Sequence, residues 1–333
     1  HRDDVARYVG EYEKRLYAEV RHGVRVDRLS RADGLWQAET SDGALLARNV
    51  IVATGYDREP HVPSWPVLSA WSGQLVHAAD LGDVRNYAGK RVLVVGAGNS
   101  GCDVINQLVR VDTADLMVSV RHGPSIIPKW IGPFPMMRLT PALAKIPTPI
   151  LDPLVAGIAR VMFGDLRRYG LTRHPLGLSR RLKSTGIAPA IDDGMVAAIR
   201  SGRVKVVPEI EYFREDGIAL ADFRFVRPDV VIAATGYRTG LEPLVGHLRA
   251  LDRDGTPLVN GGAELRHLPG LFFTGMKPGL TGFFRAAART GAEIAERVAA
   301  REARKLQSTG RIARFRRWML APWRLDGDVA LNG

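Results

Sequence analysis

The 333-residue chain is 46% hydrophobic and 25% charged, an ordinary globular composition with apolar material for one or two buried cores. Its net charge is +12, but only eight of the 47 basic residues are lysine, and the 39 arginines are scattered rather than gathered in a stripe, which argues against nucleic acid as a partner. A single cysteine, Cys102, excludes an internal disulfide and any CxxC pair. No apolar run reaches the roughly 18 residues of a membrane span, and the first residues lack the apolar stretch of a signal peptide, so a cytoplasmic protein is expected.

In chain order, Val5, Tyr8, Val9, Tyr12 and Leu16 recur at helical spacing behind Asp3 and Asp4, which predicts an amphipathic helix over 3–16. Short alternating segments between 17 and 41, broken by His-Gly and Asp-Gly pairs, predict an antiparallel meander. NVIVATGYD predicts a strand over 49–56 that runs into a Thr-Gly turn, and VVIAATGYR at 230–238 repeats the device almost residue for residue. The repeat implies two related nucleotide-binding units. KRVLVVGAGNSGCDVINQLV over 90–109 reads as strand, glycine turn and helix, with a second strand over 116–121, the start of a βαβ unit. The proline-rich, apolar stretch 124–190 predicts a helical insertion. After it come a helix over 192–201 capped by Asp192 or Asp193, a strand in RVKVVPEI, a hairpin around 215–217, a strand in GLFFTG and a long helix over about 282–305.

The chemistry concentrates in Gly96-Ala97-Gly98-Asn99-Ser100-Gly101, a GxGxxG pattern placed after a strand and before a helix. The first glycine permits the tight turn, the second lets backbone approach a pyrophosphate, and the third allows close helix packing. The helix N-terminus adds free N–H groups and a favourable dipole. A dinucleotide is the natural ligand. At the end of the second strand, where an NAD-binding fold carries an acid for the ribose hydroxyls, stand Arg121 and His122, which suits the 2′-phosphate of NADP(H). The two ATGY turns, with Thr54, Gly55, Thr235 and Gly236, lie at the C-terminal ends of strands and suggest crossovers between two dinucleotide domains. Trp71, Gly73 and His77 precede the glycine turn, and His77 reads first as a hydrogen-bonding linker residue. No paired carboxylates, metal cluster or nucleophile–base set stands out, so redox chemistry falls to a bound cofactor. The stretch 301–320 carries seven basic residues and one acid between apolar ones; a solvated or docked tail is favoured there over peripheral membrane contact.

Together these residues resemble the flavin-containing monooxygenase family, the class B flavoprotein monooxygenases, and within it the YUCCA-like branch. The resemblance rests on ATGY at 53–56, WSGQLVH at 71–77, KRVLVVGAGNSGCD at 90–103, VRHGPSIIPK at 120–129, FGDLRRYGL at 163–171 and ATGYRTGL at 234–241. The family's fingerprint falls on Trp71, Gly73, His77 and Leu81, with tryptophan for its first phenylalanine and leucine for its closing aromatic residue. The resemblance implies an α/β fold of two Rossmann-like domains. The NADP domain over 66–239 would be inserted in an FAD domain formed by 1–65 and 240–305, followed by a basic tail over 306–333. It implies that Gly96, Gly98, Asn99, Ser100 and Gly101 hold the NADP pyrophosphate, that Arg121 lies near the 2′-phosphate, and that GLFFTGM at Gly275 closes the flavin domain. Nothing before Asn49 supplies the family's first GxGxxG turn for FAD, so the flavin domain is expected to be incomplete, with an open strand edge beside Ala53–Tyr56 and poor solubility of the isolated chain. The implied activity is an NADPH- and FAD-dependent monooxygenase that inserts one atom of O2 into a small substrate, by N- or S-oxygenation, ketone oxygenation or decarboxylation of a 2-oxo acid. A non-catalytic NADP-binding module and a flavin-linked NADPH reductase stay open as alternatives.

Overall fold

Val92–Val94 and Val230–Ala233 are uninterrupted apolar runs with no polar alternation, a pattern that needs cover on both faces and therefore a parallel sheet. In a computed structural model that describes residues 2–172, 174–277, 279, 280 and 282–308, they occupy the middle of one. The spatial order is Lys205–Val207, Asp115–Ser119, Arg91–Val95, Val230–Ala233, Gln74–His77, all parallel. From Arg91–Val95 the chain passes through the helix Asn99–Leu108 to Asp115–Ser119 on one side, while Val230–Ala233 lies on the other. The direction of sheet order therefore switches beside Gly96, the place where open α/β sheets bind ligands.

The insertion leaves the sheet at Ile126–Pro128 and returns at Ala190–Asp192, and these two strands pair in parallel. Between them run the helices Met136–Leu143, Thr148–Phe163 and Leu178–Thr185, which share a small core of Ile127, Met136, Leu151 and Val155. Asn106, on the glycine-turn helix, ties the return in place. Its Nδ2 donates to Ile191 O at 3.1 Å, and its Oδ1 accepts from Asp193 N at 3.2 Å and Met195 N at 2.9 Å. Because Asn106 is buried, Asn106→Leu would remove its bonds to Asp193 N and Met195 N and leave Ile191 O with only the Cys102 thiol, 3.2 Å away. We expect it to cost about 2–3 kcal/mol, read as a lowered urea midpoint at unchanged slope. The helix foreseen over 192–201 starts later, at Met195, because Gly194 takes φ 130° ahead of it. Asp192 still serves its N-terminus, accepting from Val196 N at 2.8 Å.

The second unit combines the meander Val26–Ala32, Leu35–Thr40 and Gly43–Ala47 with the parallel pair Val50–Val52 and Leu271–Phe273. Asp33 and Gly34 both take positive φ, 49° and 79°, the two-residue turn whose twist matches a hairpin. The meander runs past its predicted end at 41 to Ala47, and the strand foreseen over 49–56 stops at Val52, where the backbone turns through Gly55 at φ 82°. Trp36 is fully buried, with its Nε1 donating to Pro269 O at 3.1 Å, and packs with Leu29, Leu271 and Phe273. The terminal helix Phe283–Ser308 is anchored by Glu264, which accepts from Arg297, Arg301 and Gly270 N, while Arg301 also reaches Asn49 Oδ1 at 2.9 Å.

Among the described residues Val50–Val52 pairs only with Leu271–Phe273, and Ile51 is half exposed. The first helix, Arg2–Glu13, forms as its spacing predicts, but its apolar face is turned to solvent: Tyr8 is 67% exposed and stacks on Tyr12 rather than on a core. No described helix is long and apolar enough to cross a membrane. The basic tail expected over 306–333 lies, from residue 309 onward, outside the described residues.

Candidate nucleotide site

The three turn glycines meet three different environments. Gly96 takes φ 100°, and a Cβ there would stand 2.7 Å from Ala234 O. A Cβ on Gly101 would stand 1.9 Å from Gly96 O. Gly98, between them, has nothing within 4 Å of a Cβ position and an ordinary φ of −69°. The turn is thus closed against protein at its first and third glycines and open at the second, where a ligand's backbone contact would fall. Gly98 is the N-cap of the helix Asn99–Leu108, and no side chain caps that end. The N–H groups of Asn99, Ser100 and Gly101 are left for an anion, with the helix dipole behind them. This small-residue cradle fits a pyrophosphate.

Thr235 and Gly236 follow Ala234, which lies against Gly96 and extends the neighbouring strand, donating to Val95 O at 2.9 Å. The two ATGY turns adopt one conformation, with Gly55 at φ 82° and Gly236 at φ 85°. They are also fastened together. Glu59–Pro60 pairs with Tyr237–Arg238, His61 N donates to Gly236 O at 3.0 Å, and the Thr235 hydroxyl donates to His61 O. Thr54 and Gly55 meet Gly275 at the ends of the parallel pair, where a Cβ on Gly275 would stand 3.8 Å from Gly55 Cα. The glycine turn at 96–101 is the one GxGxxG pattern among the described residues.

The fingerprint residues separate. Trp71 packs against Phe213 with ring centroids 5.3 Å apart, and a Cβ on Gly73 would stand 2.2 Å from the Trp71 ring. Both lie at the amino end of Gln74–His77, away from the glycine turn, and their role is packing. His77, at the other end, is buried and joins the linkers. Its Nδ1 accepts from Ala79 N at 3.1 Å, which leaves Nε2 to carry the proton donated to Gly236 O, also at 3.1 Å. Its ring stands edge-on to Tyr237 at 5.1 Å. His77→Ala should cost about 2 kcal/mol from the two hydrogen bonds and the cavity, while leaving nucleotide affinity at the glycine turn nearly unchanged. Thermal unfolding and an NADPH titration separate the two effects.

Arg121 and His122 follow the strand Asp115–Ser119, and both are exposed. Several residues of the site carry no motif and were not singled out in the sequence. A cleft of about 1130 Å³ opens beside the paired linkers, lined by Tyr56, His61, Tyr237, Arg238, Lys183, Lys277, Arg285 and Arg289 among others. Burial lowers the pKa of His61, with Arg238 and His77 adding to the effect. A smaller apolar pocket of about 150 Å³ runs from Asn99 between the insertion and Phe283, walled by Ile127, Met136, Leu143 and Leu280. Cys102 is buried on the glycine-turn helix, and burial, with Asp192 nearby, pushes its thiol up to about 12.

A parallel sheet with a pyrophosphate turn at its switch point, joined by paired ATGY linkers to a second unit, defines a dinucleotide-binding protein of the two-domain flavin monooxygenase class. Residues 31–247 match the flavin-binding monooxygenase-like family, and the chain belongs to it. It is 30% identical over 244 residues, 72% of this chain, to indole-3-pyruvate monooxygenase YUCCA1 of Oryza sativa subsp. japonica, and spans 60% of that protein. It is 33% identical over 297 residues to the probable indole-3-pyruvate monooxygenase YUCCA3 of Arabidopsis thaliana, 85% of this chain and 67% of that one. Among solved structures, flavin-containing monooxygenase from Stenotrophomonas maltophilia superposes with a TM-score of 0.61 at 23% identity, over 89% of this chain and 77% of the other. Cyclohexanone monooxygenase from Rhodococcus sp. Phi1 bound to NADP+ gives 0.62 at 17%, over 89% and 69%. These two show the shared fold.

Proposed function

We propose that the chain is the NADP(H)-binding and substrate-enclosing part of an NADPH- and FAD-dependent monooxygenase. The observation that carries the proposal is the glycine turn: closed at Gly96 and Gly101, open at Gly98, and set at the switch point of a parallel sheet. In this reading residues 66–239 form the nucleotide domain, and 1–65 with 240–305 contribute to the flavin domain. Asn99, Ser100 and Gly101 bind the pyrophosphate through backbone N–H groups, and Arg121 and His122 face the 2′-phosphate. The flavin, when bound, supplies hydride acceptance and activation of O2. The chain's own part is to orient the nicotinamide beside the paired linkers and to keep water out with the apolar wall of the insertion. Along the cleft the cations Lys183, Lys277, Arg285 and Arg289 outnumber the acids Glu242, Asp252 and Asp254, and with the apolar pocket at Asn99 they suit a substrate with an apolar body and an anionic group. The relatives named as indole-3-pyruvate monooxygenases support a 2-oxo acid within that class.

The test is an absorbance spectrum of the purified chain with and without added FAD, followed by NADPH. A retained flavin band that NADPH bleaches supports the proposal. Nucleotide binding with no retained flavin would leave this chain a nucleotide-binding fragment.

A further inference from the structure

We propose that Arg181, carried by the insertion, is a second cation for the 2′-phosphate of NADP(H), so that the insertion takes part in choosing NADPH over NADH. The inference rests on the nucleotide site proposed above. Four observations lead to it.

Arg181 is held in place by its helix. Asp152 Oδ1 accepts from Ser179 N at 2.7 Å and Oδ2 from Arg180 N at 3.3 Å, which fixes the first turn of Leu178–Thr185 while Leu182 is buried. Arg181 sits at the fourth position of that helix, where a cation gains nothing from the dipole, so helix stability gives no reason for it. The side chain points toward the end of the second nucleotide strand: Arg181 Nη1 donates to Gly123 O at 3.3 Å, two residues beyond Arg121. Its Nε is buried with no hydrogen-bond partner, and among the described residues no carboxylate lies within ion-pair distance of it.

The surroundings are basic as well. The rings of His122 and His174 stand 6.3 Å apart, and His174 Nδ1 lies 3.1 Å from Leu176 N and 3.3 Å from Leu176 O. Burial lowers the pKa of both the Arg181 guanidinium and the His174 imidazole, and Arg181 adds to the effect on His174. A partly buried cation beside two imidazoles, with no carboxylate paired to it, is an environment that a dianion would relieve. A phosphate monoester offers the required charge and three acceptor oxygens. It is also the group that distinguishes NADP from NAD at this end of the strand.

Nucleotide binding to the purified chain tests this, with NADPH and NADH followed by nicotinamide fluorescence and with 2′,5′-ADP and 5′-AMP as competitors. For Arg181→Gln the expected result is about a 10- to 100-fold loss of affinity for NADPH and 2′,5′-ADP, with NADH and 5′-AMP unchanged. Arg181→Lys, which keeps the charge, should fall between. Parallel loss of all four ligands, or no loss of any, in the soluble variant would overturn the inference and make Arg181 a tie between the insertion and Gly123. If Arg181→Gln does not fold, Arg181→Lys decides alone, since it must still weaken the 2′-phosphorylated ligands selectively. Failure of the unmodified chain to bind any of the four would overturn the nucleotide site itself.

Discussion

Gly101→Ala is expected to abolish NADPH binding and to destabilise the chain by about 3 kcal/mol or more, because its Cβ would be driven to 1.9 Å from Gly96 O. The obstacle is backbone, which cannot rotate away. The glycine-turn helix would have to lift off the sheet, carrying with it Cys102, Ile105 and Leu108, all fully buried. A chemical-denaturation curve should show the loss, with a broadened or absent transition. A variant of near-normal stability would mean that the turn is looser than its geometry indicates.

The second large effect is expected at Glu264, whose side chain is only 6% exposed and joins the terminal helix to the second unit. Burial opposes its ionisation, but the Gly270 N–H, Arg301 and Arg297 together outweigh burial and hold its carboxyl below the ordinary glutamate value. A carboxyl whose folded pKa is depressed contributes stability above its unfolded pKa and loses it as pH falls through the folded value. The anchoring should therefore be intact at neutral pH and weaken on acidification below the ordinary glutamate range. Glu264→Gln removes the negative charge and one of the two acceptor oxygens shared by the arginines; since Arg297 is 55% exposed and Arg301 23%, water compensates in part, and about 2–3 kcal/mol is expected at pH 7. Urea midpoints measured from pH 7 downward should converge for the two proteins. A constant gap across that range would mean that the carboxyl's charge is not what anchors the helix.

Local signals carried most of the architecture. Uninterrupted apolar runs mark the parallel strands, Asp33-Gly34 marks its hairpin, and the GxGxxG spacing places the turn, because each depends on residues near one another in sequence. The repeated ATGY announced two similar turns, but not that the linkers behind them pair with each other. That pairing depends on contacts between His61 and Gly236, 175 residues apart in sequence. The fingerprint shows the limit of motif reading: Trp71 and Gly73 sit at the end of their strand remote from the turn, and only His77 reaches the linkers. Arg181 and the cleft cations left no pattern at all. In a chain with 39 arginines, those that matter are distinguished by burial and by what lies beside them, which composition does not report.

We propose that Gly98 is left open for a dinucleotide. The most direct test is an NADPH titration, followed by nicotinamide fluorescence, of the unmodified chain and of Gly98→Ala. The added methyl meets no protein atom within 4 Å and the backbone φ of −69° tolerates alanine, so the unfolding midpoint should stay within the small range of a neutral substitution. The methyl should nonetheless occupy the ligand's approach and weaken NADPH by at least about tenfold. Equal affinity in the two proteins, or no NADPH binding to the folded, unmodified chain, would contradict the account.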